Sequence, residues 1–314
     1  MITDKILARI GHPNLIDVLT NDLTNSELNS VLLDVFQHKT QQITAPDLLK
    51  SYRSNRFVQP TDIDVLGLRA LENTTYETFN HFGFTPIELS PVAPLGSCSV
   101  VATADQNKIL SANRQTEVMA DATNALALHI ADLKHSGRWH HQSPTDRLRF
   151  STIHRHLRTQ PLPDLPGFRP HFKIACLVTA GKDTGSFQFE KEALAEHIRA
   201  LTTLFRDQLH VDNLSFKLMP RKGYPDPAAL VRSLCDHIVG QQPDCAVEAV
   251  TDAVGENNYY KGLQYKVSIE VNDRTVEIGD GGFVDWTQQL LQNKKERLLT
   301  TGIGIELLYR LISN

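Results

Sequence analysis

The spacing of apolar and polar positions divides the chain into helical and extended stretches. Residues 1–55 carry helical spacing at Leu15, Val18, Leu19 and Leu23, and SELNSVLLDVFQ continues it with Ser26 in the N-cap position. This predicts a helical appendage. SNRFVQPTDID breaks the pattern, and LGLRALENTTYETFNHFGF restarts it with Leu68, Leu71, Phe79 and Phe82 on one face and Gly83 as the stop. A short extended run, TPIELSPV, ends at Pro91, and TEVMADATNALALHIADL reads as the next helix.

Period two takes over in RLRFSTIHR, where Leu148, Phe150 and Thr152 oppose Arg149, Ser151 and Ile153, and in HFKIACLVT, its expected partner strand. Between them, residues 156–170 hold Pro161, Pro163, Pro166, Gly167 and Pro170, a long loop of the kind that tends to be functional. FEKEALAEHIRALTTLFRDQL spaces Leu194, Ile198, Leu201 and Phe205 for a long amphipathic helix. YKVSIEVNDRTVEIGDGGF gives two alternating strands around Asn272 and Asp273, followed by helical WTQQLLQNKK and IELLYRLI. The expected class is α+β: an antiparallel sheet flanked by helices over residues 56–314, with residues 1–55 appended.

Composition narrows the function. The chain has 314 residues, 41% hydrophobic and 22% charged, with a formal net charge of -4. That is globular composition without the basic surface that nucleic-acid binding requires, so no tRNA partner is expected. No apolar run approaches membrane-spanning length and no leader precedes the first helix, which predicts a cytoplasmic protein with no membrane contact. Cys98, Cys176, Cys235 and Cys245 form no CxxC pair and read as reduced thiols, Cys176 in the core. His140, His141, His154 and His156 are dense, and His154 and His156 share a strand face, but no carboxylate or thiol at ligand spacing completes a metal set.

Four stretches, in order, resemble the catalytic domain of class II aminoacyl-tRNA synthetases, the histidyl type most closely, over about residues 56–313. RALENTTYETFNHFGFTPIELSPV resembles motif 1, which implies a homodimer through residues 68–91. FSTIHRHLRTQ resembles the motif 2 strand; the motif arginine falls on Arg155, implying a contact to the α-phosphate of ATP, while the motif glutamate falls on Leu157. On the return strand, the adenine-stacking position falls on His171 and a substrate-contacting glutamine on Lys173. GENNYYKGLQYKVSIEV and GDGGF resemble the paired-tyrosine and glycine stretches through Tyr259, Tyr260, Gly262, Gly281 and Gly282, with the activating arginine falling on Gly255. TGIGIELLYRLI resembles motif 3 through Gly302, Gly304 and Glu306, with the γ-phosphate arginine replaced by Leu307. The sequence stops after this motif, so the anticodon-binding domain that follows in histidyl enzymes is not expected.

The resemblance implies a pocket in which Arg155 and Glu306 would do chemistry with ATP and Mg, and in which His171, Lys173, Tyr259, Tyr260, Gly281, Gly282, Gly302 and Gly304 would bind ligand. Thr116, Glu117, Asp121 and Asn124 lie beside the family's amine-receiving motif and are candidate ligand contacts or helix caps. Arg158 and Arg169 flank the motif 2 loop as phosphate contacts or surface charges. With uncharged residues at 157, 255 and 307, the leading expectation is a synthetase-fold paralogue that binds a small ligand, amino acid or nucleotide-like, without charging tRNA. The alternatives are an amino-acid adenylating ligase with a non-tRNA acceptor, and a regulatory subunit like that of ATP phosphoribosyltransferase.

Overall fold

The structure, a computed structural model, describes residues 2–143, 145–161, 169–251, 255 and 259–313. Pro163, Pro166 and Gly167 of the proline-rich loop lie outside the described residues. The strands in chain order are β1 (Thr85–Pro86), β2 (Val92–Pro94), β3 (Ser111–Ala112), β4 (Thr116–Val118), β5 (Leu148–Leu157), β6 (His171–Lys182), β7 (Leu214–Pro220), β8 (Ala246–Ala249), β9 (Leu263–Val271), β10 (Arg274–Val284) and β11 (Glu296–Gly304). Among the described residues, eight of them form one sheet in the order β1-β5-β6-β11-β10-β9-β7-β8, and β2-β4-β3 form a small second sheet. All pairs in the large sheet are antiparallel except β1 with β5 and β7 with β8 at its two edges. The α+β architecture is therefore the expected one.

The main core lies on one side of this sheet. Helices Val65–His81, Gln188–Thr202, Pro227–Gln241 and Ile305–Ile312 contribute Leu71, Phe79, Leu194, Ile198, Leu234 and Leu308 to it. Helices need such an apolar stripe to be stable against a sheet. On the other side, helix Ala122–His135 packs Leu126 and Ile130 against Phe150, Val178 and Trp286, and covers only part of the face. The uncovered remainder is a cleft.

Several local expectations shift. The helix expected from Thr116 starts instead at Ala122, because the Asp121 carboxylate accepts from Thr123 N–H and caps it; Thr116–Val118 is strand β4. Helix Asn25–Gln41 is capped by Thr24, not Ser26, through a reciprocal bond pair with Glu27. The stretch after Phe84 is extended only over Thr85–Pro86. In the 1–55 appendage, helices Ile2–Arg9, Asn25–Gln41 and Ala45–Ser54 form as expected and bury almost nothing, Leu7 excepted. Among the described residues no helix is long and apolar enough to cross a membrane.

Candidate functional site

A cavity of about 660 Å³ opens in the cleft over β6, β11 and β10, a volume usual for a small-molecule site. Its floor is set by strand parity. Cross-strand partners share a face, so Cys176 opposite Gly302 and Ile174 opposite Gly304 place these four residues together under the cavity. A Cβ on Gly302 would meet only the Ile174 methyl, at 3.3 Å, and one on Gly304 only Ile278 O and Leu307 Cβ, at 3.4 and 3.5 Å. Neither glycine is demanded by packing, and both leave the floor low. At Gly281 the reverse holds: a Cβ would fall 2.6 Å from Thr300 O and from the Tyr265 ring.

The wall beneath helix Ala122–His135 is a hydrogen-bonded unit. Asp121 Oδ1 accepts from Thr123 Oγ1 at 2.6 Å, and Oδ2 accepts from Tyr259 O–H at 2.5 Å. Burial pushes the hydroxyls of Tyr259 and Tyr260 well above the usual phenol range, with Asp121 and Asp280 respectively as the next cause, so both stay protonated. His156 Nε2 accepts from Ala122 N–H at 2.8 Å. Its ring is buried, which pushes its pKa down and keeps it neutral.

Opposite charge character marks the rim. Thr159 N–H donates to Lys108 O at 3.0 Å and Arg158 N–H to Pro170 O at 2.8 Å, which ties three segments together. Lys108, Arg158 and Arg169 consequently line the same cavity. Among the described residues none of the three has an ion-pair partner; Arg158 donates to Ala120 O and sits 5.4 Å over the Phe172 ring. Residues 56–62 lace across this rim. Arg56 donates to Thr159 O and Gln160 O, Arg310 donates to Asp62 O, and Gln59 O accepts from His171 Nε2 at 2.7 Å.

The cavity thus brings together Asp121, Asn124, His171, Lys173, Tyr259, Tyr260, Gly302, Gly304 and Glu306 of the expected residues. It does not include Arg155, Thr116, Glu117, Gly281 or Gly282. Arg155 pairs across the ladder with Lys173 and lies on the opposite strand face from His154 and His156. Its guanidinium sits behind the rim, bonded to Glu306 at 2.5 Å and to His171 Nδ1 at 2.9 Å. His171 thereby bridges the Arg155 guanidinium at Nδ1 and Gln59 O at Nε2. Lys173 is likewise engaged, by buried Glu72 of helix Val65–His81 at 2.5 Å. Glu117, almost fully buried, accepts from Gly96 N–H, Cys98 N–H and Gln106 Nε2. Its carboxylate shapes the turn that carries Cys98 into the cavity. Thr116 Oγ1 donates to Asn113 O. Sequence spacing missed Lys108, Cys98 and Phe172; Phe172 shares the parity of Ile174, a signal that was present.

The arrangement matches known folds. An ATP phosphoribosyltransferase regulatory subunit/histidyl-tRNA synthetase from Bacillus halodurans C superposes with a TM-score of 0.62 at 14% identity, over 82% of each chain. The fold is that of the class II aminoacyl-tRNA synthetases. An apo histidyl-tRNA synthetase from S. aureus gives 0.60 at 11% identity, over 81% of this chain and 68% of that one. The Nostoc histidyl-tRNA synthetase gives 0.57 at 14%, over 82% and 74%. At these identities the likeness extends to the fold alone. No protein-family model matches the sequence. No curated protein matches it either.

Proposed function

We propose that this protein is a paralogue of the synthetase fold that binds a small anionic ligand, amino acid or nucleotide-like, in the cleft and does not aminoacylate tRNA. The carrying observation is the rim: Lys108, Arg158 and Arg169 lie on one cavity without ion-pair partners among the described residues. Unpaired cations beside a largely apolar cavity supply an anion with charge-assisted hydrogen bonds that water does not fully replace. The adenylating chemistry has weaker support. Arg155 is bonded to Glu306, Leu307 can hold no phosphate, and the described residues contain no group of three His, Cys, Asp or Glu placed for a metal ion. ATP with Mg therefore fits the donor set poorly, and Glu306 would have to leave Arg155 to serve a cation.

Calorimetric titration with the standard amino acids and with nucleoside mono- and triphosphates tests the proposal. Saturable binding that weakens at least tenfold in Arg158→Met is expected, with no tRNA charging and no amino-acid-dependent pyrophosphate exchange. Exchange with any amino acid replaces this reading with the ligase.

A regulatory subunit is the second reading. The Bacillus halodurans neighbour carries that description in its name, and the appendage exposes Ile2, Ile16, Val35, Phe36, Leu48 and Leu49. A homodimer through residues 68–91 belongs to both readings, and light scattering of the purified protein measures it.

A further inference from the structure

Asn124 occupies an unusual position. It lies in the first turn of helix Ala122–His135, is 2% exposed and lines the cavity. Neither its Nδ2 nor its Oδ1 has a hydrogen-bond partner among the described residues. Two polar groups that line the same cavity are committed elsewhere: Asp121 to Thr123 and Tyr259, and Thr300 Oγ1 to Gly282 O. The Cys98 thiol lies beside the amide, and burial, then Asp121, pushes that thiol up to about 12, leaving it protonated and a weak partner.

A buried amide with both ends unpaired destabilises a fold, and leucine would fill nearly the same volume without that penalty. The amide therefore makes sense through a group that enters the cavity. That group has to offer a donor to Oδ1 and an acceptor to Nδ2 together. A carboxylate supplies acceptors alone and an ammonium donors alone, so each would leave one end of Asn124 unpaired. An amide edge supplies both.

We infer that Asn124 is the specificity-determining residue of this cavity and reads the planar amide edge of an anionic ligand, either a side-chain carboxamide or the lactam edge of a nucleobase. The inference rests on the cleft being a ligand site. It adds the ligand's chemical class and the residue that selects it. The anionic end of the same molecule meets Lys108, Arg158 or Arg169 at the rim.

The test compares wild type with Asn124→Leu, using L-glutamine against L-glutamate as one probe pair and uridine 5′-monophosphate as the other source of an amide edge. Wild type is expected to favour glutamine over glutamate by about tenfold or more, or to bind the nucleotide, and Asn124→Leu to lose about tenfold in that binding. The glutamine and nucleotide arms separate the two sources. The ligand-free variant is expected to melt no lower than wild type, and up to about 2 °C higher, because it removes unpaired polar atoms. Should overpacking by leucine prevent folding, Asn124→Ala gives the same binding readout. The inference is overturned if the substituted protein binds the amide probe as tightly as wild type. It is also overturned if wild type binds other anions of the wider panel but neither amide probe, a result that leaves the ligand-site reading standing. Absence of binding by every compound overturns both.

Discussion

The two faces of the large sheet come from the same strands and follow opposite rules. On the helix-covered face, Leu177, Ile303, Tyr265 and Phe283 meet four helices and close a continuous apolar core. On the cleft face, one residue along the same strands, stand Cys176, Gly302 and Asp280, with a cavity above them. A strand buried on one face and open on the other has its register fixed by the core, and the cleft inherits residues whose identity packing does not dictate. Function is therefore sought where the packing argument runs out. Gly281 and Gly302 mark the boundary, since a Cβ on the first would collide with Thr300 O and Tyr265 while one on the second would meet only the Ile174 methyl.

The largest expected contrast is between two phenylalanines. Phe205 is fully buried in the helix-side core, and Phe205→Ala is expected to cost about 3–5 kcal/mol in urea unfolding. Phe172 is half-buried at the cavity, beside Arg158 and stacked on His156 at 6.2 Å. Phe172→Ala is expected to cost under about 2 kcal/mol and to weaken ligand binding, which the core variant leaves intact wherever it still folds. Equal losses of stability would erase the distinction between the faces.

Histidine titration sharpens the comparison at the next scale. His197 is fully buried in the core layer, bonded to Thr179 Oγ1 at 2.9 Å and Thr301 Oγ1 at 2.6 Å. Burial, with a smaller contribution from Arg149, pushes its pKa down to about 3. An unfolded histidine titrates near 6.5, so the unfolded chain takes up the proton first. The contribution is fully present above pH 6.5 and is lost as pH falls toward 3. Between pH 7 and pH 5 the loss is about 2 kcal/mol, and His197→Gln is expected to flatten that slope in pH-dependent urea melts. Neutral His156, on the cleft side, is pushed down by burial as well and contributes to the slope that remains, as do His141 and His237.

How much of this was legible depended on whether a signal was local. Helix Val65–His81 and the hairpin of β9 and β10 were readable because their periodicity lies within one segment, and Asn272 and Asp273 do adopt the left-handed conformations, φ 52° and 57°, that a tight turn needs. Strand β11 was hidden behind its glycines, and helix Pro227–Gln241 was passed over although Asp226 caps it. The rim was legible only in part. Arg158 and Arg169 were expected to flank the motif 2 loop as phosphate contacts or surface charges, whereas Lys108 joins them only because a backbone bond links segments about fifty residues apart. The subtlest point was parity, since the motif 2 resemblance placed an arginine at 155 while the cavity receives 158.

That three-residue difference yields the smallest effect and the finest test. Arg155 and Arg158 stand three residues apart in sequence, yet the first holds buried Glu306 behind the rim and the second lines the cavity without an acidic partner among the described residues. The Glu306 side chain is 8% exposed and that of Arg155 36%, so the pair stands between a surface and a buried ion pair. Arg155→Met is expected to cost about 1–2 kcal/mol by stranding Glu306 and to change nucleotide or amino-acid affinity less than about twofold, since no direct contact is lost. Arg158→Met is expected to alter stability by under about 0.5 kcal/mol while lowering affinity about tenfold, the loss of one charge-assisted contact. Parallel chemical denaturation and titration of both variants measure this. If Arg155→Met loses affinity and Arg158→Met does not, the anion lies on the Arg155 side of β5, and the helix-covered side of that strand contributes to the site.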